Sequence, residues 1–145
     1  MEIQARQLVF HSAVVLVIGV LCGLPLTVAI DRPWPAEAEH LWHLAHHGLV
    51  FGAALGLAIA GILSSLNVQP ARKSRVSWWF IVSNYAFCFS LVLGPIVGQR
   101  GLTPSLPWTN LVVLLGNAIG TFGGLIGAIL LLHAARVSLA KGNTE

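Results

Sequence analysis

Four long apolar runs, separated by short polar connections, dominate the chain. They cover about 8–30, 41–66, 76–98 and 108–135. Each run exceeds the ~20 residues that an α-helix needs to cross roughly 30 Å of hydrocarbon. Apolar and polar residues do not alternate within the runs, which disfavours membrane strands, and a helix satisfies its backbone hydrogen bonds internally. The pattern therefore predicts an all-α fold, an integral membrane four-transmembrane-helix bundle forming one domain over 1–145.

The composition agrees with a membrane-embedded chain. Hydrophobic residues make up 56% and charged residues 9% of the chain, and the mean hydropathy is +0.81. A soluble domain carries about 25% charged residues, so soluble, disordered and coiled-coil classes are excluded. The net charge of +3 is too small to indicate a nucleic-acid partner, and the expected partner is the lipid bilayer. Cys22 and Cys88 both lie within apolar runs and are predicted to be free thiols.

The distribution of basic residues predicts the orientation in the membrane. Because there are four runs, both chain ends fall on the same side. That side collects six basic residues: Arg6, Arg72, Lys73, Arg75, Arg136 and Lys141. The other side has only Arg32 and Arg100. The positive-inside rule then predicts a multi-pass protein of the inner (cytoplasmic) membrane with both termini in the cytoplasm. The first run has no cleavage signature and is expected to stay in the mature protein.

Small residues form stripes on two of the predicted helices. Glycines recur every four residues, which places them on one helical face: Gly48, Gly52, Gly56, Gly116, Gly120 and Gly124. Such a stripe allows two helix backbones to approach closely. We favour ordinary helix packing as its role, and a contact between protomers or a flat wall against a planar cofactor stays open.

Histidines are the candidates for chemistry inside the membrane. The runs contain no Asp, Glu, Lys or Arg, which excludes a proton pump built on an intramembrane carboxylate. They contain five histidines: His11, His43, His46, His47 and His133. The string HLAHH matches one box of membrane di-iron enzymes, but a second box is missing. A zinc site needs a third or fourth ligand. Haem needs only one or two ligands from the protein, so it fits this set of residues best.

The spacing of the histidines indicates a single ligand. His46 and His47 point about 100° apart around a helix, so they cannot both face one metal. His11 begins the first run at the opposite side of the membrane, on the order of 20 Å from His46 along the membrane normal. We therefore expect a single histidine to ligate an iron, which leaves one coordination position open. The alternative is a group of interfacial histidines that hydrogen-bond to water.

Three other side chains are candidate neighbours of such a site. Asn84 is the most polar residue within its run and needs either a partner on another helix or a ligand. Cys88 follows four residues later, on the same helical face. Arg100 ends the third run, where its guanidinium either pairs with an acidic group such as a propionate or stays solvated.

Several short motifs, in order along the chain, resemble the styrene oxide isomerases. The stretch Trp42–Gly48 resembles the family's W-x-x-A-H-x-G, and residues 100–103 read RGLT, as in the family. Arg6 and His11 in the first run and Asn84 in the third also match. The resemblance implies a homotrimer that holds haem b between protomers, with His46 as the axial ligand to iron. It also implies isomerisation of a small hydrophobic epoxide to a carbonyl compound, with ferric iron as Lewis acid.

The chain departs from the family pattern at three positions. Cys88 replaces a tyrosine of the catalytic site, Gly52 replaces a pocket asparagine, and Phe80 replaces an aspartate. By the resemblance, we take Asn84 and Cys88 as candidate catalytic residues, and the candidate cofactor-binding residues are His46, Trp42, Arg100 and Gly52. Two alternatives stay open: a non-enzymatic membrane haem protein that transfers electrons or binds a gas, and a structural or transport bundle without a cofactor.

Overall fold

The computed structural model describes residues 2–32 and 34–142, which form helices joined by short connections. The helices are α1 (Ile3–Leu21), α2 (Gly23–Asp31), α3 (Ala36–Ser65), α4 (Pro70–Val97) and α5 (Trp108–Gly142). Together α1 and α2 make one span, so four helical spans are long and apolar enough to cross a membrane. The described residues contain no strand. The predicted all-α, four-span membrane fold is confirmed.

The helices extend beyond the apolar runs that predicted them. The helix α3 begins five residues before the second run, and α4 begins six residues before the third. Pro35 precedes α3 and Pro70 is the first residue of α4, positions that suit proline because the first N–H groups of a helix lack internal partners. Glu37 and Glu39 lie in the first turn of α3, where their negative charges interact favourably with the positive end of the helix dipole. Hydrophobicity therefore marks the membrane-buried length, and polar turns extend each helix.

A break at Cys22 divides the first span into α1 and α2. Pro25 has no N–H to donate to the carbonyl of Leu21, which removes one bond from the helical ladder. The helix resumes at once, because the N–H of Cys22 still donates to Ile18 (3.0 Å) and that of Leu26 donates to Cys22 (3.4 Å). The sequence predicted one continuous span, and the structure shows a span with one interruption.

The four spans are not equally surrounded. The helix α1 packs against both α3 and α4, whereas α5 packs against α4 alone among the described helices. Within the described residues, the backbones of α3 and α5 do not approach each other closely. The helix α4 therefore forms the floor of a groove, and α3 and α5 form its walls. We call this space the α3–α5 groove.

The glycines of α5 serve helix packing. A Cβ atom at Gly120 would lie 2.8 Å from the ring of Phe87, and one at Gly127 would lie 3.1 Å from the ring of Phe80. These glycines therefore let α5 lie directly on the aromatic side chains of α4. The glycines of α3 differ, because Gly48 and Gly52 face only side-chain tips of α4 and line the groove.

Asn110 fixes the connection between α4 and α5. Its Oδ1 accepts the N–H of Gly101 at 3.0 Å, and its Nδ2 donates to the carbonyls of Thr103 (2.8 Å) and Ser105 (3.1 Å). Gly101 adopts φ 59°, and a Cβ there would lie 2.6 Å from the backbone nitrogen of Leu114. This loop is consequently held against the start of α5, and it carries the RGLT motif at the mouth of the groove.

Candidate functional site

His46 is held in a defined orientation by the first span. Its Nδ1 lies 2.8 Å from the backbone carbonyl oxygen of Gly19. Because a carbonyl can only accept a hydrogen bond, Nδ1 carries the proton and Nε2 keeps a free lone pair. Proteins orient metal-binding imidazoles in this way. Gly23 lies beside the ring, and a Cβ there would approach the ring to 3.2 Å.

The neighbouring histidines of α3 have different surroundings. The rings of His43 and His47 stack at a centroid distance of 4.0 Å, and both residues are exposed. The ring of His46 is nearly perpendicular to that of His47, at 84°. Within the described residues, no group of three or more His, Cys, Asp or Glu side chains converges as a metal-ligand set. The two adjacent imidazoles have different hydrogen-bond partners, because His46 Nδ1 lies 2.8 Å from the Gly19 carbonyl oxygen and His47 Nδ1 lies 3.1 Å from that of His43.

His11 belongs to a separate cluster in the other half of the bundle. Its Nδ1 lies 3.0 Å from the hydroxyl of Tyr85, and its ring lies 6.4 Å from that of Trp78. The partner of His46, Gly19, is eight residues beyond His11, which puts the two imidazoles about 12 Å apart along the span. The separation is shorter than the 20 Å expected from the sequence, but it still exceeds what two ligands of one iron require.

Asn84 projects into the α3–α5 groove. A Cβ at Gly52 would lie 3.4 Å from Asn84 Oδ1, and one at Gly56 would lie 3.1 Å from Asn84 Nδ2. In the described part of the chain, the carboxamide makes no hydrogen bond. The groove has a volume of about 600 Å³ and a mainly apolar lining that includes Phe51, Leu55, Phe80, Phe87, Leu91 and Leu131. Ser83, the other polar residue of the lining, already donates to the Gly120 carbonyl at 2.6 Å. Asn84 therefore provides the groove with a free polar group inside the membrane.

A second cavity of about 310 Å³ lies at the mouth of the groove. It shares Phe87 and Leu91 with the groove, and Arg100 contributes to its lining. The Nε of Arg100 lies 3.5 Å from Glu37 Oε1, and both side chains are largely exposed. An exposed pair of this kind contributes only about 0–1 kcal/mol, so the guanidinium can exchange Glu37 for another anion at little cost.

His46 and the groove occupy different sides of α3. Gly52 follows His46 by six residues, which places it about 120° around the helix. The His46 ring contacts the first span, whereas Gly52 faces Asn84 of α4. A single chain therefore holds both halves of the predicted site but does not bring them to a common point.

A family model described as styrene oxide isomerase matches residues 4–136, which include nearly all of the four spans. The chain belongs to the styrene oxide isomerase family. No curated protein and no solved structure matches the chain.

The positions singled out from the sequence as departures fall in two places. Gly52 and Phe80 line the groove. Cys88 is buried in a cluster of α1, α3 and α4 that includes Cys22, and Trp42 packs against the same cluster. The structure thus brings Asn84 and Gly52 together and places Cys88 and Trp42 outside the groove, although Cys88 was expected on the face of Asn84.

Two contributors to the site were not identified from the sequence. The carbonyl of Gly19 orients His46, and a backbone acceptor leaves no signal in a sequence. Ser12 is fully buried beside Gly56, close to Asn84. The only signal for Ser12 was a small polar residue within an apolar run.

Proposed function

We propose that this protein is a haem b-dependent epoxide isomerase that converts a small hydrophobic epoxide into a carbonyl compound. The observation that carries the proposal is the His46 imidazole, whose Nδ1 is bonded to Gly19 and whose Nε2 is free to bind iron. Membership of the styrene oxide isomerase family supports it. His46 would be the one protein ligand of the haem. Arg100, at the mouth of the groove, would pair with an acidic group of the cofactor.

The chain's own residues would organise the reaction around this ligand. When bound, a ferric haem supplies a Lewis acid that polarises the epoxide oxygen without a change of redox state. The apolar groove excludes the water that would otherwise convert the opening ring into a diol. Phe80 and Phe87 line the groove, where an aromatic ring can stabilise the developing positive charge. One C–O bond breaks and a hydride moves to the adjacent carbon, so the carbonyl product has the same atoms and electrons as the epoxide.

We propose further that the site is completed between protomers of a homo-oligomer, a trimer by the family resemblance. The His46 ring and the groove lie on different sides of α3, which supports a site shared by two copies. The rim of the groove also presents large apolar side chains such as Phe51, which is 73% exposed. In this arrangement the His46 face of one protomer meets the groove of the next.

Substitution of individual histidines tests the ligand assignment. We expect His46→Ala to abolish the Soret band of protein purified in mild detergent after haem supplementation. The matched controls His43→Ala and His47→Ala should retain it, because their rings stack on the exposed face of α3. Added imidazole should restore the band in His46→Gly. Equal loss of the band in all three alanine variants would contradict a single ligand.

A turnover assay separates the enzyme from the alternative function. Haem-loaded protein without reductant should convert a small aryl epoxide to its aldehyde. A non-enzymatic haem protein that transfers electrons or binds a gas is favoured by the loss of the family tyrosine at Cys88. Intact epoxide together with a CO- or NO-dependent Soret shift would support that alternative.

The membrane and the orientation are also proposals. The excess of basic residues on the side of both chain ends supports an inner-membrane protein with cytoplasmic termini. A fluorescent protein fused to the C-terminus should fluoresce, and a periplasmic reporter at the same position should stay inactive. The opposite pattern would reverse the orientation.

A further inference from the structure

Ser12 is a buried polar residue behind the α3–α5 groove. It lies on α1 with no exposed surface, and its Oγ has no hydrogen-bond partner within the described residues. A serine inside a helix usually donates to the carbonyl four residues earlier, but Ser12 makes no such bond. Leaving a buried hydroxyl unpaired costs free energy, so this arrangement calls for an explanation.

Ser12 and Asn84 meet at Gly56. A Cβ at Gly56 would collide with Ser12 Oγ and would lie 3.1 Å from Asn84 Nδ2. The hydroxyl and the carboxamide therefore approach each other across a residue that has no side chain. Neither has a hydrogen-bond partner in the described part of the chain, and a hydroxyl oxygen can accept a bond from an amide N–H.

We propose that Ser12 is a positioning residue for Asn84. Its hydroxyl oxygen accepts one N–H of the Asn84 carboxamide, after a small rotation or through one water molecule. This bond fixes the amide plane and directs the second N–H into the groove. The groove then selects an apolar ligand that carries a hydrogen-bond acceptor oxygen. The inference rests on the proposed function only in naming that ligand as an epoxide.

A double-mutant cycle tests this role in the haem-loaded protein. Ser12→Ala should lower kcat/KM for a small aryl epoxide by about tenfold in the wild-type background and by less than about twofold in Asn84→Ala. The haem Soret band should be the same in all four proteins. A merely structural role for Ser12 would give the same loss in both backgrounds, and that result would overturn the proposal.

The matched control is Ser77→Ala. Ser77 is also buried where α4 meets α1, but its hydroxyl already donates to the carbonyl of Gln4 at 3.2 Å. In the Ser77→Ala background, Asn84→Ala should lower kcat/KM by the same factor as it does in the wild-type protein. If Ser77→Ala reduces the effect of Asn84→Ala on kcat/KM as much as Ser12→Ala does, any cavity between α1 and α4 disorders Asn84. That result would also overturn the proposal.

A binding measurement keeps the inference separate from the proposed activity. The probes are an aryl methyl ketone, which has an acceptor oxygen, and the corresponding alkylbenzene, which has none. Ser12→Ala and Asn84→Ala should each weaken ketone binding about tenfold and leave alkylbenzene binding unchanged. If wild-type protein turns over no epoxide but shows this pattern, the proposed function fails and the role of Ser12 stands. If epoxide is turned over and neither variant discriminates between the probes, the role of Ser12 fails alone.

Discussion

At the scale of single residues, the partner of each polar atom decides its role. His46 and His47 are adjacent and chemically identical, yet His46 is bonded to Gly19 and His47 stacks on His43 at the surface. Helical geometry predicted different directions for the two side chains, and the structure gives their ring nitrogens different partners. The sequence could not predict which ring is anchored, because the anchor is a backbone carbonyl of another helix.

Gly56 should be the least replaceable glycine of α3. Gly56→Ala places a methyl group against Ser12 Oγ and close to Asn84, and overpacking of this kind costs about 1–3 kcal/mol. We expect a lower thermal unfolding temperature in detergent. Gly61→Ala is the matched control, because nothing lies within 4 Å of a Cβ at that position.

A second substitution identifies the cause of the Gly56→Ala effect. Ser12→Ala removes the colliding oxygen, so the double variant should recover most of the lost stability. If Gly56→Ala is destabilising and Ser12→Ala gives no recovery, the contact with Ser12 is not the reason.

At the scale of helices, the apolar runs were sufficient to predict four spans but not their ends. Lys73 illustrates the difference. The sequence places it in a polar connection, whereas α4 begins at Pro70 and carries Lys73 inward, so that its side chain is only 3% exposed. Its ammonium lies 2.8 Å from Glu2 Oε1, which holds the beginning of α1 against α4. Hydropathy could not predict this because it registers charge but not a partner 71 positions away.

Removing the charge of Glu2 should loosen this end of the bundle. Glu2→Gln leaves the buried ammonium of Lys73 without a counter-charge, and we expect a loss of about 1–3 kcal/mol. Thermal unfolding in detergent, followed by circular dichroism, measures it. Glu37→Gln is the matched control, because Glu37 and its partner Arg100 are both largely exposed. Equal decreases of the unfolding temperature in Glu2→Gln and Glu37→Gln would show that the burial of Lys73 has no effect on the energy of its ion pair.

At the scale of the whole molecule, the separation of His46 from the groove was beyond sequence reasoning. The residues on each side were identified, but their placement follows from the packing of α1 on one face of α3 and α4 on another. The spacing of residues along α3 predicted the angles between their side chains around the helix. Which helix packs against each face of α3 depends on tertiary structure, which the spacing does not contain. The proposed oligomer turns this separation into a requirement for two copies.

Complementation between inactive protomers should reveal a shared site. Gly52→Phe fills the groove, since a side chain at residue 52 meets only Asn84 at an ordinary contact distance of 3.4 Å. We expect His46→Ala and Gly52→Phe to be inactive alone. Co-expressed, they should form mixed oligomers in which an intact His46 meets an intact groove, and measurable epoxide turnover should return. The control co-expresses His46→Ala with the variant that carries both His46→Ala and Gly52→Phe, and it should stay inactive because no chain then has His46. No recovery in confirmed mixed oligomers would place the site within one protomer.

The gap between α3 and α5 determines how a reactant is supplied. The α3–α5 groove opens between two membrane-spanning helices, and any part of that opening that a neighbouring protomer leaves uncovered faces the acyl chains. An apolar molecule therefore reaches the groove after dissolving in the lipid phase and not from the aqueous phase. Its effective concentration is then its mole fraction among lipids. Half-saturation expressed per litre of buffer should rise as vesicles or detergent are added, and the same value expressed per mole of lipid should stay constant.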